Sequence, residues 1–176
     1  MADKKKLKMT SPRGVAVYPK LSKPDTKFKA EGEYAIKLRV PQATADAFVE
    51  KLKPILDDYK KTEDFLKTAK KVGNKNVKQN PWYKDVNDDE GNATGEVTIN
   101  FSAKASGKKK DGSEWKRGPV ATFDAKGTPL PKDTQVWSGS EVKVSFVPMP
   151  WINPKGEYGV KLGLEAVQVL KLVSGG

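Results

Sequence analysis

Apolar and polar residues alternate along most of this chain, and the alternation is interrupted by one stretch of helical period. The clearest strand has Val97, Ile99, Phe101 and Ala103 pointing one way and Thr98, Asn100, Ser102 and Lys104 the other. The same period of two runs from Glu141 to Val147, with Val142, Val144 and Phe146 inward and Lys143 and Ser145 outward. Pro148-Met149-Pro150-Trp151 is expected to leave this strand, and Asn153-Pro154-Lys155-Gly156 to turn. A final long strand then opens on Tyr158, Val160, Leu162 and Leu164 and runs to about Val173. Nearer the start, Glu33 to Val40 sets Ile36 and Leu38 on one face and Lys37 and Arg39 on the other, giving a strand with a basic face. The opening stretch to about Leu21 carries Val15, Val17 and Tyr18 among small residues, as a half-buried strand does, punctuated by Pro12, Pro19 and Pro24.

Between Ala43 and about Val72 the period changes. Phe48, Leu52, Ile55, Leu56 and Tyr59 recur at three- and four-residue steps, the stripe of an amphipathic helix, and Gly73-Asn74 stops it. Pro54 lacks a backbone donor, so a kink or a junction of two helices is expected near Lys53. Residues 75–94 read as loop, with the pair Trp82-Tyr83 exposed in it. Ser106 to Gly112 is a lysine-rich turn, after which Trp115 to Phe123 can return antiparallel to the preceding strand. At least five strands and one helical excursion predict a small closed or partly closed barrel. The chain reads as one domain, 1–176, with its helical insertion at about 43–72 and a basic hairpin at about 97–123.

Charge narrows the partner. Lys and Arg number 33 against 22 Asp and Glu, a formal charge of +11, which favours polyanions. Arginine occurs only at Arg13, Arg39 and Arg117. Base-edge reading relies on the planar Arg fork, whereas lysine is a mobile point charge, so this balance points to backbone contact without sequence reading. Cys and His are absent, which removes thiol and imidazole chemistry and fits a reducing cytoplasm. No apolar run approaches the ~20 residues a bilayer requires, so a soluble protein of the host cytoplasm, without membrane partners, is expected.

The segment Asp85-Val86-Asn87-Asp88-Asp89-Glu90-Gly91, followed by Glu96, resembles a calcium loop only in part. Glu90 stands where the sharp turn needs glycine, and Glu96 begins a strand, so a polar hairpin loop is the better reading and no metal site or cofactor is assigned. A Mg²⁺-dependent nuclease on Asp85, Asp88 and Asp89 is the enzymatic alternative, weakened because all three lie in one loop. No phosphate loop of the GxxxxGK[ST] type is present, and no catalytic residue is assigned. The stronger signal is aromatic. Trp82, Tyr83, Trp115 and Trp151 lie in or beside loops next to lysines or prolines, where rings can stay open beside positive charge. With the basic hairpin they predict a groove for a nucleic-acid strand. Its candidate residues are Arg39, Trp82, Tyr83, Lys104, Lys108, Lys109, Lys110, Trp115, Lys116, Arg117, Trp151 and Lys161. A module for duplex DNA or RNA is the alternative within the binding class.

The C-terminal run VKVSFVPMPWINPKGEYGVKLGLEAVQVLKLV resembles the last two strands of the single-stranded DNA-binding proteins of short-tailed bacteriophages. GEYAIKLRVP before the helical insertion, EVTINFSAKAS before the basic hairpin and VATFDAKGTPLP after it continue the likeness in the same order. The resemblance implies a mainly β, five-stranded OB-fold barrel with an inserted α-helical segment. It also implies a non-enzymatic role, coating single-stranded DNA during phage replication, recombination and repair. Trp151 falls where the family has an aromatic implicated in base stacking, and Met149 where it can have a tyrosine. The family's acidic tail, which contacts replication proteins and competes with DNA, has no counterpart in Val173-Ser174-Gly175-Gly176. Partner recruitment is therefore expected only if such a tail exists in the full-length protein. Without that competing anion, tighter DNA binding and weak binding to duplex are expected.

Overall fold

In the computed structural model the described residues are 8–25, 32–116, 120–131 and 136–172. Their strands are β1 (Met9–Thr10), β2 (Gly14–Asp25), β3 (Glu33–Pro41), β4 (Lys78–Gln79), β5 (Lys84–Asn87), β6 (Ala93–Lys104), β7 (Ser106–Lys108), β8 (Glu114–Lys116), β9 (Ala121–Phe123), β10 (Glu141–Ile152) and β11 (Glu157–Lys171). Two helices, α1 (Gln42–Tyr59) and α2 (Glu63–Val72), and a short 3-10 turn at Asn74–Asn76 lie between β3 and β4.

The five long strands carry the fold. β3 and β6 pair antiparallel from Glu33–Lys104 to Pro41–Glu96, and β10 and β11 from Glu141–Lys171 to Ile152–Tyr158. β2 lies antiparallel to β3 on one side and meets β10 through Val15–Glu141 and Gly14–Val142 on the other. β6 meets β11 in parallel through Ser102–Gly163. The circuit β2-β3-β6-β11-β10 thus returns to β2, but two of its seams are short, so the sheet is OB-like and only partly closed. Gly14 lets the start of β2 lie close against β3, because a Cβ there would lie 2.7 Å from Leu38 and Val40 side-chain carbons and 2.8 Å from the Arg39 carbonyl oxygen.

Alternation does what the pattern predicts in the interior. Ile36, Leu38, Ile99, Phe101, Val142, Val144, Phe146 and Leu164 are buried together. Phe48 of α1 meets Phe146 edge-on with centroids 5.4 Å apart, fixing the insertion to the barrel. A second, smaller core joins Leu56, Phe65 and Ala69 of the helices to Tyr158 of β11.

Four local expectations need correction. The helix does not break near Lys53: α1 passes through Pro54, and the junction falls at Lys60–Thr62. Pro54 and Glu50, whose carbonyl loses its donor, are both exposed, so water can take up the lost bond. Thr62 sets the junction by capping α2, its hydroxyl accepting from the Phe65 N–H at 3.4 Å, with Glu63 and Asp64 in the first turn. Second, Pro148-Met149-Pro150-Trp151 does not leave β10, which continues to Ile152 because β11 stays in register opposite it. Third, the return after the basic turn is split. β8 pairs antiparallel with β7, whereas β9 crosses over to lie parallel to β11. Fourth, the 75–94 loop holds β4, parallel to β11, and β5, antiparallel to β6, strands too short to show a period.

Candidate nucleic-acid interface

The outward residues of the central strands are polar or small, and the segment 79–84 stands beside them. Together they enclose a groove of about 1030 Å³. Its floor comes from Ala35 and Lys37 of β3, Thr98, Asn100 and Ser102 of β6, and Gly159 and Lys161 of β11. Four rings line it: Tyr18 from β2, Trp82 and Tyr83 from the flanking segment, and Trp151 from β10. Lys20, Lys37, Lys84 and Lys161 supply positive charge, and among the lining residues only Glu33 is acidic.

Each ring is held by its own local chemistry. Trp82 is half-buried and packs against both cores, so part of the indole is rooted while the rest faces the groove. Tyr83 is tied to the insertion, its hydroxyl donating to an Asp46 carboxylate oxygen at 2.6 Å. That hydrogen bond first, then burial and the negative charge of Asp46, holds the Tyr83 phenol above its usual pKa of 10.0. Trp151 lies beside Gly159, where a Cβ would come 3.7 Å from the indole. That is an ordinary contact distance, so the indole lies over the β10–β11 pair opposite this position.

Of the residues picked out in the sequence, Trp82, Tyr83, Trp151 and Lys161 are brought together in this groove. Arg39 is elsewhere on the same face and is taken up by Glu96, its Nε and Nη2 donating to one carboxylate oxygen at 3.0 and 2.7 Å. Lys104 is exposed at the end of β6, opposite Glu33. Lys109, Lys110, Trp115 and Lys116 belong to the β7–β8 ribbon, which is a separate two-stranded sheet outside the groove lining. Trp115 packs over Gly107 there, since a Cβ on that glycine would meet the indole at 2.8 Å. Lys108 is in β7 by its backbone, and Arg117 lies outside the described residues.

Tyr18, Lys20, Lys37 and Lys84 enter the groove without having been chosen. Lys37 shows the reason, because it shares the basic face of β3 with Arg39 and only the position of Glu96 separates a lining cation from a paired one. The signal that would find it is the register of β3 on β6, where Lys37 sits opposite Asn100. The acidic segment is a hairpin turn between β5 and β6: Asp88 accepts from the Glu90 and Asn92 N–H groups at 2.9 and 2.8 Å. Among the described residues no group of three or more acidic side chains is placed to hold a metal ion, and no helix is long and apolar enough to cross a membrane.

Comparison with solved structures places the same fold in phage proteins. The crystal structure of gp2.5, a single-stranded DNA-binding protein encoded by bacteriophage T7, superposes with a TM-score of 0.74 at 22% identity, covering 97% of this chain and 90% of that one. The single-stranded DNA-binding protein of bacteriophage Enc34 gives 0.54 at 20% identity, covering 95% and 82%. The Enc34 protein in complex with single-stranded DNA gives 0.55 at 20% identity, covering 95% and 88%. No curated protein sequence matches. A family profile described as single-stranded DNA-binding protein of bacteriophage T7 matches residues 13–172, nearly the whole chain. That family comprises binding proteins, not enzymes, and this chain belongs to it.

Proposed function

We propose that the chain coats single-stranded DNA by laying the strand across the β2-β3-β6-β11 groove, bases against Trp82, Tyr83 and Trp151 and phosphates toward Lys37, Lys84 and Lys161. Membership of a single-stranded DNA-binding family supports the ligand. The observation that carries the place is the convergence of these rings and lysines on one open face. Each stacked base contributes about 1–3 kcal/mol whatever its identity, and lysines attract phosphate without reading sequence, so little sequence preference follows. The β7–β8 ribbon starts four residues beyond the groove-lining Ser102, and Lys109, Lys110 and Lys116 on it extend phosphate contact past the rim. Phosphate attraction does not depend on strand number, so duplex binds weakly at low salt, without stacking. The role in phage replication, recombination and repair inside the host cytoplasm belongs to this reading. Recruitment of replication proteins is assigned to no described residue.

The test is an anisotropy titration of labelled oligothymidylate, duplex DNA and RNA at several salt concentrations. Single-stranded DNA should bind tightest, with log affinity falling by about 0.7 per phosphate contact for each decade of salt. Equal affinity for duplex and single strand would overturn the stacking half of the reading, and no binding at low salt would overturn all of it.

A further inference from the structure

One groove ring has no hydrophobic reason to be where it is. β2 pairs with β3 through Val15–Arg39, Ala16–Leu38 and Val17–Lys37, then resumes at Lys20–Ala35. Three steps along β2 match two along β3, so one extra residue is bulged out. Tyr18 occupies the bulge with φ of 47°, the only non-glycine residue of positive φ among the described residues. It also stands directly before Pro19, a position that favours extended backbone. Glycine would adopt this conformation without strain, whereas a bulky side chain resists it.

The strain is held by neighbours. The Tyr18 N–H donates to the Ser138 hydroxyl at 2.9 Å. Gly139 N–H donates to the Ala16 carbonyl at 2.9 Å and Ala16 N–H to the Ser140 carbonyl at 2.8 Å. The 138–140 turn therefore holds β2 from Ala16 up to the Tyr18 N–H, on the N-terminal side of the bulge. No burial offsets the strain, because the ring is 72% exposed. It lies along the groove with Lys20 and Lys37. Residues held in strained backbone conformations by their surroundings cluster at ligand clamps and other functional sites.

We infer that Tyr18 is a base-stacking platform on the β2 side of the groove, preset by the bulge, so that the DNA strand is gripped at both sides of the sheet. The inference rests on the groove being the DNA site. From β2 through β3, β6 and β11 to β10 there are four strand spacings of about 4.8 Å. Tyr18 and Trp151 thus stand roughly 19 Å apart along the sheet surface, with lysines between them and room for several bases.

Oligothymidylate affinity and melting temperature of Tyr18→Gly, Tyr18→Phe and Trp151→Ala, each against the parent chain, test this. Tyr18→Gly should keep or raise the melting temperature, since glycine relieves the bulge, yet bind about tenfold more weakly. Tyr18→Phe should regain most of that loss. If Tyr18→Gly binds like the parent while Trp151→Ala is weakened, the inference is overturned and the groove stands. If both bind like the parent, the groove itself is misplaced. Lost binding that accompanies a falling melting temperature would make Tyr18 a structural residue and overturn the inference as well.

Discussion

The Tyr83 hydroxyl donates to the Asp46 carboxylate at 2.6 Å, joining the groove-flanking segment to the first turns of α1. The other side of that segment is held by β11, where the Asn80 N–H donates to the Tyr158 carbonyl at 2.8 Å. The helical insertion thus has a function in the site: it braces two of the rings. Asp46→Ala should weaken oligonucleotide binding by about threefold while leaving the barrel intact.

The same pair predicts an alkaline signature. The Tyr83 pKa is raised in the folded chain above its usual 10.0, so the folded state holds this proton more tightly than the unfolded one. Its contribution to stability is complete below the unfolded value and is lost as pH rises through the raised one. Burial and the charge of Asp64 also raise the Tyr59 phenol, so ultraviolet titration should show two tyrosines ionising late, and in Asp46→Ala only the Tyr83 component should move down toward the others.

Rings and lysines should separate in their salt dependence. Trp151→Ala should cost about 1–3 kcal/mol at every salt concentration with the slope unchanged. Lys37→Ala should flatten the slope of log affinity against log salt by about 0.7, one phosphate contact on a single strand. Equal change in both quantities for both variants would contradict the division of labour.

The ribbon offers a sharper steric case. A methyl group on Gly107 would lie 2.8 Å from the Trp115 indole, a rigid ring that cannot give way at its tip. Gly107→Ala should displace Trp115 and shift its emission. Because the ribbon lies outside the groove lining, oligonucleotide affinity should fall less than in Trp151→Ala.

Stability rests on the contact between helix and barrel. Phe146 is fully buried and packs against Phe48 and Phe101 at 5.4 and 5.3 Å. Phe146→Ala should destabilise the chain by about 3–5 kcal/mol, lowering its melting temperature by about 10 °C.

The long strands and the insertion were legible because burial repeats along them: Val97 to Ala103 and Val142 to Phe146 each show one unbroken face. What escaped depends on pairing across the chain. Nothing near Arg39 announces that Glu96, far along the sequence, occupies it. Nothing in Val15–Lys20 announces a bulge, which exists only relative to β3. β9 looked like the return of a hairpin because its parallel partner, β11, lies more than forty residues away. Trp82, Tyr83 and Trp151 meet in one groove, whereas Trp115 shows the same composition next to lysine and sits apart, so composition beside a ring does not by itself say which rings converge.

The central claim is that single-stranded DNA lies across the β2-β3-β6-β11 face, and photocrosslinking reads this most directly. Oligonucleotides carrying iodouracil at successive positions would be irradiated on the intact chain and the crosslinked peptides mapped. Crosslinks are expected at Trp82, Tyr83 and Trp151. Crosslinks confined to Trp115 of the ribbon or to Trp137, an exposed indole outside the groove lining, with the groove rings unmodified, would contradict it.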